Sequence, residues 1–362
     1  MRDLCNATKQ KIMKFDKTKP VMLTGATGYV AGWLVKKLLE EGLTVHAAVR
    51  QPENKKKTTH LDELAANSPG EIKYFKADLL TKDAYFEAMQ GCSVVFHTAS
   101  PFITDVKDPQ KDLIDPAVKG TQNVLESVNQ TPSVQKVVLT SSCAAIYTDA
   151  SECKGYPNGE LTEDIWNTTA SLKYQPYSYS KTLAEKKAWE MQKAQNRWEL
   201  VTINPALVMG PPLNPKATTS ESFTIMKQLG DGTFKMGAPK LGMGVVDVRD
   251  VAEAHFRAAF HPNAKGRYIT VGHNSDIYTA SQTLLPKYEN YPLPKKVAPK
   301  WLIWLVGPMV NSAMTRKFVQ NNVGHAFKAN TSKIRQELDM EFLPLQKTMQ
   351  DSLQALIDAN IL

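Results

Sequence analysis

Thr24-Gly25-Ala26-Thr27-Gly28-Tyr29-Val30-Ala31 joins an apolar, strand-like run, Pro20 to Leu23, to a helical pattern extending from Tyr29 to Glu41. Gly25 permits a tight turn that a side chain would obstruct. Gly28 lets the backbone approach a pyrophosphate, and the small Ala31 allows helix and strand to pack closely. A helix starting here would turn its free N–H groups and positive dipole end toward phosphates. Two residues separate the first two glycines, where the common dinucleotide fingerprint has one.

Outward from this turn, Thr44 to Val49, Ile72 to Lys76, Ser93 to His97, Lys136 to Thr140 and Leu200 to Ile203 read as strands. Lys82 to Met89, Leu113 to Asn129 and Tyr177 to Gln195 read as helices. This alternation specifies an α/β chain of the Rossmann type, a doubly wound parallel sheet with crossover helices. After Asn204 the prolines Pro205, Pro211, Pro212 and Pro215 interrupt regular helix, and Thr218 to Leu229 reads as a short helix. Val245 to Phe260 and Arg267 to Val271 read as a helix and a strand returning to the sheet. Residues 1–205, completed by 245–273, are therefore expected to form a dinucleotide-binding domain. Residues 206–244 and 274–362 are expected to form a smaller, interleaved C-terminal substrate region, ending in a helix over Leu345 to Ile361.

The 362 residues are 42% hydrophobic and 22% charged, a globular balance that excludes disorder and fibrous repeats. A formal charge of +8 reads as basic residues scattered among acids, so neither a nucleic-acid partner nor a membrane span is expected. The densest basic run, Lys55-Lys56-Lys57, is either a solvated loop or a phosphate contact. Cys5, Cys92, Cys143 and Cys153 have neither metal-ligand spacing nor the density of a disulfide scaffold, and Met1 to Pro20 lacks the apolar core of a secretory signal. A reducing, cytoplasmic location is expected, without a metal. Trp301 to Val310 is the most apolar segment, about half the length that spans a bilayer. Core or pocket lining is its expected role, while Lys295, Lys296 and Lys300 leave an interfacial role open.

Where an NAD-preferring protein ends its second strand with an acid for the ribose hydroxyls, this chain has Arg50. A guanidinium fork suits a 2′-phosphate, so NADPH/NADP is the expected cofactor. Tyr177 and Lys181 stand one helical turn apart on a shared face. A phenol of pKa about 10 is a poor acid or base at neutral pH. A nearby ammonium and an oxidised nicotinamide stabilise the phenolate, so Tyr177 can exchange a proton with a substrate oxygen while hydride moves at carbon. Leu139-Thr140-Ser141-Ser142 ends a strand with hydroxyls able to serve a developing oxyanion, and spacing leaves Ser141 and Ser142 both open. His97, ending a buried strand, reads as a satisfied structural histidine.

These motifs are joined by Val49-Arg50-Gln51-Pro52, Phe96-His97-Thr98-Ala99-Ser100-Pro101, Lys119-Gly120-Thr121, Asn204 to Pro211 and Val246 to Ala252. Together they resemble the extended short-chain dehydrogenase/reductase superfamily from Lys19 onward. The branch they resemble contains dihydroflavonol reductases, cinnamoyl-CoA reductases and the yeast methylglyoxal reductase. The resemblance implies that Ser142 orients a carbonyl, Tyr177 donates a proton, and Lys181 holds the nicotinamide ribose and tunes Tyr177. It implies a cofactor site of Gly25, Thr27, Gly28, Tyr29, Val30, Arg50, Lys57, Asp78, Leu79, Thr98, Ala99, Ser100, Tyr177, Lys181, Pro205 and Val208. Within that site, Arg50 and Lys57 meet the 2′-phosphate, Asp78 the adenine amino group, and Pro205 and Val208 the nicotinamide. Asn123 would support a proton relay.

Two departures narrow the substrate. Tyr147 occupies the position of the flavonoid reductases' asparagine, and Gln175-Pro176-Tyr177-Ser178-Tyr179-Ser180-Lys181 lacks the Asn-Trp-Tyr-Cys-Tyr-Gly-Lys run of cinnamoyl-CoA reductases. Phe102, Tyr147, Met209, the stretch through Met226 and the Trp301 segment are the expected pocket walls. The reading is NADPH-dependent reduction of a small-molecule aldehyde or ketone. An NAD-dependent nucleotide-sugar epimerase or dehydratase and a non-catalytic NADP-binding sensor are the alternatives.

Overall fold

Val21–Thr24 (β1) is fully buried and pairs in parallel with Thr44–Val49 (β2) on one side and Val94–His97 (β4) on the other. Glu71–Lys76 (β3) extends the sheet beyond β2. Lys136–Thr140 (β5), Glu199–Pro205 (β6) and Gly266–Thr270 (β9) extend it beyond β4. The computed structural model describes residues 16–100, 106–310 and 313–362, so Cys5 and Phe102 lie outside the described residues. Among the described residues, seven strands thus form one parallel sheet in the order β3-β2-β1-β4-β5-β6-β9.

The strands alternate their side chains between two cores, as a doubly wound sheet requires. Val21 and Leu23 of β1, with Val94 and Phe96 of β4, pack with Tyr29–Glu40 (α1) and Val248–Phe260 (α7). Met22 and Val95 face the other way, toward Phe86–Met89 (α3), Asp115–Gln130 (α4) and Pro176–Lys193 (α5). Lys55–Ala66 (α2) crosses from β2 to β3. The lysine run read as a loop or phosphate contact is the first turn of this helix. Only Thr58 and Leu61 of α2 are buried, which leaves too little apolar periodicity to reveal a helix in the sequence.

A second sheet was not foreseen. Leu207–Met209 (β7) pairs in parallel with Gly242–Asp247 (β8), which pairs antiparallel with His273–Asp276 (β10). β7 is three residues long between prolines, and β10 is polar, so neither carries an alternating pattern. The helix expected from Val245 accordingly starts at Val248: Asp247 ends β8 and caps α7, its carboxylate accepting the Arg249 N–H at 2.8 Å. Lys82 to Met89 is helical only over α3. The rest of the chain folds into Glu221–Gly230 (α6), Ile277–Gln282 (α8), Lys300–Val310 (α9), Arg316–Asn322 (α10), Ser332–Glu337 (α11) and Leu345–Asp358 (α12).

The Trp301 segment departs from its expected place in the core. It forms α9, which buries Ile303 and Gly307 and leaves Trp301 68% and Met309 86% exposed. No helix among the described residues is long and apolar enough to cross a membrane.

Candidate active site

The strand order reverses between β1 and β4, and open α/β sheets bind ligands at the carboxyl ends of strands flanking such a reversal. The two strand ends are tied together by Thr24. Its buried hydroxyl oxygen accepts the N–H groups of Thr98 (3.1 Å) and Ala99 (2.9 Å) and bonds His97 Nδ1 at 3.0 Å. The Thr98 hydroxyl donates to the Thr24 carbonyl. Ala99 is thereby drawn against Gly25: a Cβ added there would stand 3.1 Å from Ala99 Cβ, and the backbone has φ +66°, a conformation that favours glycine. Gly28 caps α1 without a side chain, so the first-turn N–H groups of α1 have no side-chain acceptor. A cradle that a Cβ would fill, at an uncapped helix N-terminus, fits a pyrophosphate. The Tyr29 phenol is committed elsewhere, donating to the Gly210 carbonyl at 2.7 Å, so only its backbone is left for such a group.

Arg50 follows β2, Lys57 lies in the first turn of α2, and Asp78 follows β3, all exposed at the same edge of the sheet. Asp78 accepts the Leu80 N–H at 2.9 Å. Arg50 and Asp78 flank one side chain, the buried Tyr85. Burial drives its phenol well above the ordinary range, Asp78 adds to the rise and Arg50 opposes it. Among the described residues no carboxylate pairs with Arg50 or Lys57. The Asn123 amide donates to the Leu79 carbonyl at 3.0 Å, so it anchors the Asp78–Leu79 loop to α4.

Deeper in the crevice stand Ser142, Tyr177, Lys181 and Ser100. Gln175, in the left-handed region at φ 53°, and Pro176 start α5, which places Tyr177 and Lys181 on one face. Lys181 Nζ donates to Ser100 Oγ at 2.9 Å and lies 5.7 Å from the Tyr177 ring centroid. Burial pushes the Lys181 pKa down to about 8, which still leaves it mostly an ammonium at neutral pH. Tyr177 lines the open side of the cleft, 47% exposed, but protein around its phenol pushes its pKa up to about 12; Glu221 adds to the rise and a hydrogen bond with Ser142 opposes it. The two strand-end serines are distinguished by their partners. Ser141 is buried and donates to Glu185. Ser142 caps a short turn, its oxygen accepting the Ala144 N–H at 3.1 Å, beside the Tyr177 phenol.

Residues 21–272 match the NAD dependent epimerase/dehydratase family. The chain belongs to this family, the extended short-chain dehydrogenases/reductases. It is 43% identical over 284 residues to cinnamoyl-CoA reductase CAD2 of Medicago truncatula, covering 77% of this chain and 83% of the relative. It is 34% identical over 280 residues to the bifunctional dihydroflavonol 4-reductase/flavanone 4-reductase of Malus domestica, covering 77% and 79%. Among solved structures, the yeast methylglyoxal/isovaleraldehyde reductase Gre2 complexed with NADPH aligns with a TM-score of 0.75 at 26% identity, covering 95% of this chain and all of that one. The chain is thus an oxidoreductase of the reductase branch, on the fold expected from its sequence.

The other expected residues of this reductase are spread over several elements. Met209 and Met226 are buried in the apolar core between the second sheet and α12, where they line a small cavity with Tyr29 and Ser352. Tyr147 is half-buried and packs on Phe327 at 5.1 Å between ring centroids. Pro205 ends β6 opposite Thr270, and Val208 lies in β7, partly exposed. His97 is a satisfied structural residue, as expected: burial, assisted by Lys181, pushes its pKa down to about 3, and it is neutral at pH 7.

Two residues of the site escaped the sequence reading. Glu221, first in α6, acts electrostatically on Tyr177, and its own carboxyl is raised by burial. Glu221 comes 44 positions after Tyr177, beyond a proline-rich loop, so no spacing signals the contact. Glu185 lies two turns beyond Tyr177 on the same face of α5, where Ser141, Asn204 and Arg267 converge on its carboxylate.

Proposed function

We propose that this reductase converts an aldehyde or ketone to an alcohol with NADPH, Tyr177 giving the proton to the substrate oxygen. The observation that carries the reading is the line Ser142, Tyr177, Lys181 and Ser100 beside the Gly25 cradle.

NADPH, when bound, supplies the hydride to the carbonyl carbon. Gly25 and Gly28, with the backbones of Thr27, Tyr29 and Val30, would hold its pyrophosphate. Arg50 and Lys57 would take the 2′-phosphate, and Asp78 and Leu79 would border the adenine. Thr98, Ala99, Ser100, Pro205 and Val208 would flank the nicotinamide end, with Tyr177 and Lys181 facing it. Ser142 accepts the Ala144 N–H and hydrogen-bonds the Tyr177 phenol, so a substrate oxygen arriving between the two would take over its hydroxyl proton. Tyr177 is a phenol at neutral pH, and therefore an acid. As its proton leaves, the Lys181 ammonium favours the phenolate that remains.

Residues 206–244 and 274–362 are proposed to shape the substrate side. Small or medium aldehydes, diketones and aryl ketones are the substrates to test. Arg50 in place of an acid disfavours the NAD-retaining epimerase reading. The deciding assay follows NADPH and NADH oxidation with methylglyoxal, aromatic aldehydes, diketones and a dihydroflavonol, with Tyr177→Phe as control. Turnover that prefers NADPH and vanishes in the variant supports the proposal. Cofactor binding without turnover of any carbonyl overturns it.

A further inference from the structure

Counted by segment, the positive charge is not scattered as it first reads. From Asn290 through Gln336 the chain has no Asp or Glu and eight basic residues, so the whole formal excess of +8 resides in this stretch and the remainder is balanced. α9 lies inside it. Ile303 faces inward with Val319, Val323 and Met314, and Gly307 approaches Met314. Trp301, Leu305 and Met309, four residues apart, form the outermost stripe at 68%, 51% and 86% exposure, with Leu302, Trp304 and Val306 exposed beside it.

Lys295, Lys296 and Lys300 border one end of the helix. Arg316, whose guanidinium lies 4.5 Å from the Trp304 ring centroid, and Lys317 border its flank. Among the described residues none of these five cations has a carboxylate partner. Isolated apolar residues on a surface need no explanation, but a contiguous apolar face ringed by unpaired cations marks an interaction site.

We infer that α9 seats the protein on an anionic bilayer surface, lying in the interface plane. The observations choose this occupant by charge and chemistry. Tryptophan, leucine and methionine on the exposed face would enter the acyl boundary, while Lys300 within the helix and the cations outside it can bury their stems and keep their heads among phosphates. At 11 residues it is too short to span. A second copy would bring one unpaired basic face against another and be repelled. The inward side of this helix is tied to the segment that leads into α5. α9 packs on α10, Lys317 of α10 lies 3.8 Å over the Tyr174 ring, and Tyr174 stands three residues before Tyr177. The seating rests on none of the catalytic assignments.

The experiment is flotation of the full chain with phosphatidylcholine vesicles and with vesicles containing phosphatidylglycerol, at low and high salt. Trp301→Glu/Met309→Glu and Lys295→Glu/Lys296→Glu are compared with the parent, thermal unfolding reports that both fold, and light scattering without lipid reports oligomeric state. Binding should require phosphatidylglycerol, weaken with salt, and fall by about tenfold or more in each variant, the loss of one or two buried side chains or charges at the interface. Failure to float with the anionic vesicles, or flotation unchanged in the Trp301→Glu/Met309→Glu protein, overturns the inference. A lipid-free dimer that the apolar variant dissociates assigns the face to a second copy and overturns it as well.

Discussion

Glu185 and Arg267 meet at 2.7 Å, with the carboxylate fully buried and the guanidinium 8% exposed. Their other bonds explain how two charges are held out of water. Ser141, Thr202 and Asn204 also donate to Glu185, while Arg267 donates to the carbonyls of Glu163 and Ile165 and stacks 3.9 Å from the Trp166 ring. Asn204 further donates to the carbonyl of Ser142. One ion pair thus joins α5, which carries Tyr177 and Lys181, to the strand end that carries Ser142.

Glu185→Gln keeps the shape and removes the charge, leaving the Arg267 guanidinium buried without its counterion. Breaking a buried pair in this way costs about 3–5 kcal/mol, which urea unfolding would read directly. Arg267→Met added to Glu185→Gln should recover part of the loss, because the double variant has no orphaned charge. In the folded variant, kcat should fall more than the KM for NADPH rises, since the pair positions catalytic groups and not the cofactor cradle. A loss below about 1 kcal/mol, the range of a surface pair, would contradict this account.

Gly25→Ala tests the cradle by two independent costs. The residue holds φ +66°, where a Cβ is penalised by about 1–2 kcal/mol, and the new methyl would press on Ala99 at 3.1 Å. Fluorescence titration should show NADPH affinity reduced by about tenfold or more, each 1.4 kcal/mol being a factor of ten. Retained affinity would mean that the turn does not bind phosphate.

How much of this was legible follows from how local each signal is. The glycine turn, the strand-end Arg50 and the Tyr177–Lys181 pair are encoded within a few residues, and the parallel sheet follows from periodicity that burial on both faces enforces. The Thr24 clamp was hidden, because a threonine ending a strand looks the same whether or not it binds another strand's loop. The exposure of the Trp301 segment was hidden for a related reason. Apolar character says that a side chain gains by leaving water; it does not say which core, cavity or partner receives it. Glu221 meets Tyr177 only through the tertiary fold.

Arg50 and Lys57 carry the coenzyme preference in our reading, and each is testable by substitution to alanine. A charge-assisted contact with a phosphate is worth about 1.5–3 kcal/mol, so kcat/KM for NADPH should drop by about ten- to a hundredfold in Arg50→Ala while that for NADH barely moves. The effect of Lys57→Ala should be smaller, because a single flexible ammonium makes no fork. Equal losses with both coenzymes would remove the 2′-phosphate from either residue's role.

The pH dependence of reduction follows from the two displaced pKa values. Tyr177, pushed up to about 12, keeps its proton throughout the accessible range and imposes no limb of its own. Lys181, pushed down to about 8 by burial, loses its charge as pH rises through that value. Since the ammonium is the form that favours the departing proton, kcat/KM should be level at neutral pH and decline above about 8, approaching tenfold per pH unit. Lys181→Arg should abolish that limb while retaining some activity, because a guanidinium stays protonated at every pH used. A limb that persists unchanged in Lys181→Arg would assign the titration to another group and separate Lys181 from the proton transfer.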